Sequence, residues 1–142
     1  MLDLGRIIAR LQDIEGYAHR VALSATIADA LAVNIAQDGY LWLAGPNGLS
    51  ERNELLGGAV HQERAQRFSI VSLVRNVRDP AGAGSLRDIA GLRQSVLDRL
   101  IGWIPDAGYG PIEHVRDASV SWDGARLYWA DEFRTPHILR SL

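Results

Sequence analysis

Gly58 to Val77, GAVHQERAQRFSIVSLVRNV, is the stretch that leaves the fold the fewest options. Phe68, Ile70, Val71, Leu73, Val74 and Val77 put apolar side chains on both faces of a pleated ribbon, because successive strand residues point to opposite sides. A strand of that kind is covered on both faces, or lies in a sheet covered on one and partnered on the other. Upstream the character changes. His61, Gln62, Glu63, Arg64, Gln66 and Arg67 form a polar run that extends the strand beyond the body of the domain as a long hairpin arm, towards solvent or another subunit. Nothing in it is a catalytic signature.

The rest of the chain is arranged around this strand. Leu4, Ile7, Ile8, Leu11 and Ile14 recur at helical spacing, and Gly16 is a natural stop. Tyr17 to Leu23 is extended or irregular. Ser24 or Thr26 caps a short helix to Ala32, with Asp29 in its first turn. Asp38-Gly39 is a turn, Tyr40 to Ala44 a strand, and residues 45–57 a long exposed loop. After the organising strand, residues 79–84 form a second loop, and Ser85 with Asp88 resembles a capping box. That helix carries Leu86, Ile89, Leu92, Val96, Leu97, Leu100 and Ile101 on its apolar face and ends at Gly102. Ile112 to Val115 and Ala118 to Trp122 read as strands, and Asp123-Gly124 as a hairpin turn. Beyond it Leu127, Trp129 and Phe133 alternate with Arg126, Tyr128 and Arg134. The expectation is one α+β domain over residues 1–142, a mainly antiparallel sheet of about four strands with helices packed on one face.

Composition removes several function classes. At 142 residues and 47% apolar, the chain buries roughly two-thirds of its unfolded surface as one core. A net charge of −2 argues against a general nucleic-acid binder. All 15 basic residues are arginine, which fits codon bias, and whose planar forks also suit carboxylate pairing at interfaces. Without cysteine there are no disulfides or thiolate metal sites, and the charge-interrupted N-terminus fits neither a signal peptide nor a membrane span.

The candidate chemistry is thin. His61, His114 and His137 with Asp131 or Glu132 could make a metal site, but neither compact zinc signature is present. Asp131 and Glu132 are neighbours on a strand and point to opposite faces, so pairing with a nearby arginine explains them better than shared catalysis. There is no nucleophile elbow, and Gly82-Ala83-Gly84-Ser85 lacks the lysine of a phosphate loop. A small hydrolase would need His114, His137 and Asp131 to converge from separate elements. No catalytic residue, cofactor or metal is expected.

Taken together, GxVxQ at Gly58, Val60 and Gln62, RFSIVSLVRNVRD from Arg67 to Asp79, Leu92-Arg93, LIGWIP from Leu100 to Pro105 and YWADEFRT from Tyr128 to Thr135 resemble the tail terminator family of long-tailed bacteriophages. The resemblance implies an α+β subunit, similar to the terminator of lambda-like phages, that forms a hexameric ring on the last ring of tail-tube protein. It implies a place at the head-proximal end of the virion tail after assembly in the host cytoplasm, a joining surface for the head-tail connector, and DNA passing through without specific binding. A neck or tail-completion protein is the alternative, differing in partner rather than chemistry. Such a ring needs two different complementary surfaces per subunit. The candidates are Gln62, Arg64 and Arg67 on the polar half of the long strand, and Trp129, Asp131, Phe133 and Arg134 on the last one. Loops 45–57 and 79–84 are candidates for touching tube or connector.

Overall fold

The computed structural model describes residues 2–32, 38–50, 60–75 and 83–141, and only the backbone of 32, 46–50, 60–64, 83 and 138–141. Along the chain come α1 (Leu4–Gln12), β1 (Val21–Ser24), α2 (Ile27–Ala32), β2 (Gly39–Ser50), β3 (Val60–Arg75), α3 (Ala83–Leu100), β4 (Glu113–Trp122) and β5 (Arg126–Ser141). The strands form one sheet in the order β1-β2-β3-β5-β4.

The organising strand is the centre of that sheet. β3 pairs with β2 on one side and with β5 on the other, from Val60 opposite Ser141 to Arg75 opposite Arg126. Its polar upstream half is therefore strand backbone as far as Val60. Phe68, Ile70 and Val74 face a core shared with Ile7 and Leu11 of α1 and Ile89, Val96 and Leu100 of α3. Val71 and Leu73 face the opposite side, with Trp42, Tyr128, Ala130 and Ala30 of α2. Both faces are covered, as the apolar run demanded. Each Val, Leu, Ile or Phe among them contributes roughly 1.5–3 kcal/mol by leaving water.

The structure corrects several expectations. The sheet has five strands, because the ambiguous stretch after Tyr17 supplies β1, which pairs parallel with β2 and is too short to announce itself by periodicity. The helices are not all on one face: α1 and α3 share one, while α2 caps the other. Thr26 is the cap of α2, its Oγ1 accepting from the Asp29 N–H at 3.1 Å. Ser85 does not cap α3, which has already begun at Ala83, so the Ser85 side chain is buried inside the first turn. β2 continues past Ala44 through an irregularity at Gly45-Pro46, where Gly45 takes φ +118°, and reaches Ser50. Of the expected loops, residues 51–57 and 79–82 lie outside the described residues. The two short strands expected from Ile112 to Trp122 are one strand, β4, whose register slips at Val115 and Val120.

After α3 the chain crosses back as a strap over β5. Gly110 N–H donates to the Pro136 carbonyl at 2.7 Å and accepts from Thr135 Oγ1 at 2.8 Å through its own carbonyl. That geometry explains a proline inside a strand, because the absent N–H of Pro136 points away from β3. A Cβ on Gly110 would stand 2.6 Å from Pro136 Cγ, with no flexible group to give way. Gly110→Ala is expected to cost about 1–3 kcal/mol, measured as a lower urea midpoint. An unchanged midpoint would mean that the strap sits elsewhere.

Candidate functional site

β5 carries most of the singled-out residues, and its alternation sends them to two surfaces. On the side facing α3, Asp131 is almost wholly buried and receives two hydrogen bonds from Arg93, Nε to Oδ2 at 2.9 Å and Nη2 to Oδ1 at 2.7 Å. His114 Nε2 lies 2.9 Å from the same Oδ1. Arg93 also reaches Asp117 at 3.3 Å and lies 5.1 Å over the Trp129 ring, whose Nε1 donates to Asp117 at 2.9 Å. The Arg93 guanidinium is raised above its usual pKa, first by the hydrogen bond to Asp131, so it holds its charge.

Two sequence positions make this contact. Arg93 falls at the four-residue spacing from Ile89 that otherwise carries the apolar stripe of α3, and Asp131 falls on the parity of Leu127, Trp129 and Phe133. Each is a charge in a core position, and burial is tolerable only because they meet. His114, Asp117 and Asp131 bring candidate ligand atoms within 4.8 Å of one another, but the guanidinium already sits between the two carboxylates and pairs with both. The donor set fits a cation only if Arg93 leaves. Of the three groups a hydrolase would gather, His114 and Asp131 meet, whereas His137 stacks on Tyr109 with ring centroids 4.3 Å apart.

The other surface of β5 is a sheet face of alternating charge. Glu132 accepts from Arg116 Nε at 2.6 Å and from Arg67 Nη1 at 3.2 Å, and Arg134 reaches Glu113 at 3.2 Å. Arg67 and Arg134 stand directly opposite each other in the ladder, so Arg67 turns diagonally to Glu132 while Arg134 turns to Glu113, its direct partner on β4. Arg67, Arg116 and Glu132 also line a recess of about 340 Å³ with Thr26, Ile27 and Ala44. A larger hollow of about 920 Å³, between α3 and the segment after α1, has Arg20, Arg75 and Arg87 balanced by Glu15, Asp38 and Asp88, and holds none of the expected residues.

The seven candidate interface residues therefore separate. Gln62 and Arg64 lie on β3 opposite Leu139 and His137, with side chains outside the described residues. Arg67, Trp129 and Arg134 reach the surface. Asp131 and Phe133 are buried within the subunit, so any part they take in a contact runs through the residues they hold in place. Glu113, Arg116 and Glu132, which share the charged face, were missed except as a possible partner for an arginine.

A family model described as phage tail terminator protein matches residues 1–141. No curated protein matches in sequence. Among solved structures, a chain of the virion of a native gene transfer agent particle matches with a TM-score of 0.67 at 11% identity, over 97% of this chain and 96% of that one. At that identity the likeness concerns the fold.

Proposed function

The chain belongs to the phage tail terminator family, structural proteins of the virion tail, and on that premise we propose that it forms a hexameric ring that caps the tail tube. The ring occupies the growing end of the tube without regenerating it, halts polymerisation, and offers its other side to the head-tail connector. It acts by contact and not by catalysis. Its place is the head-proximal end of the tail, reached by assembly in the host cytoplasm, with DNA passing through the lumen unread. The observation that carries this reading is the family match along nearly the whole chain.

The geometry supports it. Three arginines and two glutamates on one open sheet face give a directional charge pattern of the kind that sets register between neighbours. Arg67 and Arg134 are its interface candidates, with Gln62 and Arg64 further along the arm and Trp129 on the opposite face of β5. Purified tail-tube protein is the test: added in small amounts, the chain is expected to stop tube growth in electron micrographs, whereas tubes that elongate unchanged would refute capping.

Arg134→Glu is expected to weaken ring assembly about tenfold. Because Arg134 also pairs with its own Glu113, the swap Glu113→Arg with Arg134→Glu restores the internal pair. Assembly that stays impaired in the swap places Arg134 between subunits. Full recovery, or a ring unaffected by either variant, removes it from the contact.

A further inference from the structure

Among the described residues, β1 and β4 each have a single neighbour in the sheet, so both present an outer edge. Such edges are templates for another strand unless protected. Seven large apolar side chains are exposed among the described residues, and four stand on these two strands: Leu23 on β1, and Val115, Val120 and Trp122 on β4. Exposed apolar side chains thus mark both edges, with Leu23 within β1 and Val115 and Val120 at the two ends of the regular stretch of β4.

Strand direction and length then restrict what can pair. β1 runs with β2 and β5, while β3 and β4 run the other way. When copies follow one another around an axis along the strands, β4 of one therefore meets β1 of the next antiparallel, the more stable pairing. The register slips at Val115 and Val120 leave Arg116 to Ser119 as a regular four-residue stretch, and β1 has four residues, Val21 to Ser24. Laid fully against each other antiparallel, they set Ala118 opposite Ala22 and Asp117 opposite Leu23. The pleat agrees with this. Ala22 pairs with Trp42 and Ala118 with Ala130, and both Trp42 and Ala130 belong to the cluster on the α2 side of the sheet. A one-residue slip would have put the two alanines on opposite faces.

We infer that neighbouring copies join by antiparallel pairing of Arg116–Ser119 in β4 with Val21–Ser24 in β1, making the sheet continuous from subunit to subunit. This rests on the ring reading above and names its seam. The slips on either side limit the seam to four residues, which blunts β4 against open-ended pairing. A seam this short needs reinforcement from other contacts, consistent with a ring that is completed on its target.

The chain has no cysteine, so introduced pairs report without background. Oxidation of the Ala22→Cys, Ala118→Cys double variant in the presence of tail-tube protein is expected to give a covalent ladder up to the full ring, and neither single variant should link. Leu23→Glu, at an exposed position that leaves the subunit folded, sets a like charge opposite Asp117 and is expected to lower assembly about tenfold. Light scattering on the same samples reads assembly independently. A ring of full mass without double-variant links, or with assembly indifferent to Leu23→Glu, overturns the seam and leaves the ring. Linked dimers from Ala118→Cys alone would show β4 against β4 and overturn it as well. Protein that never assembles, alone or with tube protein, overturns both.

Discussion

Arg93→Ala is expected to remove about 3–5 kcal/mol of folding stability at neutral pH. The loss comes less from the missing contact than from what remains: Asp131, only 1% exposed in its side chain, is left buried without its guanidinium, with the His114 ring as its other side-chain partner among the described residues. Urea unfolding should show a lower midpoint at unchanged slope. Arg93→Lys keeps the charge but loses the two-pronged geometry, so its midpoint should fall between the two. Removing both Arg93 and Asp131 should cost less than the sum of the single losses, since no unpaired charge is left behind. A contrast lies on the same helix. Arg99 and Asp13 also pair, but with side chains 36% and 72% exposed they are worth about 0–1 kcal/mol. Were Arg93→Ala to cost no more than breaking that pair, the account of α3 docked on β5 by a buried ion pair would be wrong.

Phe133→Ala should be as damaging, at about 3–5 kcal/mol. Phe133 is fully buried, stacks on Phe68 across β3 and β5 at 5.5 Å, and takes the His114 ring edge-on at 5.4 Å. Truncation leaves a cavity where α3, β3, β4 and β5 come together. The expected readout is a large fall in the unfolding midpoint, with assembly lost only because the subunit unfolds. A Phe133→Ala variant that stays as stable as the parent yet cannot assemble would contradict its place in the core and put it directly between subunits.

How much was legible beforehand follows from where the information sits. The long strand, both flanking helices and the Asp123 turn were readable because apolar spacing and turn chemistry are local. Asp123 illustrates the last of these, its Oδ1 accepting from the Ala125 and Arg126 N–H groups at 3.0 and 2.7 Å, which holds its carboxyl below the usual range. β1 was missed because four residues show no reliable period, and its parallel partner lies beyond an intervening helix. The start of α3 was misplaced because Ser85 is a good cap by type, and only burial shows it to be inside the helix. Phe133 reads as a contact candidate on composition, whereas its parity with Leu127 points inward, where it is buried. Arg93 and Asp131 were each visible as a charge in an apolar position, but their meeting is a tertiary fact across 38 residues of sequence. Glu113, Arg116 and Glu132 became a charged face only once the order β3-β5-β4 was known.

The central claim is that this chain acts as a closed ring on the end of a tail tube. Its most direct test is the mass of the purified protein by light scattering across concentration, alone and then with tail-tube protein. The account predicts a hexamer, free or bound at tube ends that then cease to grow. A monomer that ignores tube protein and binds head-connector rings instead would contradict it and make the chain a neck component.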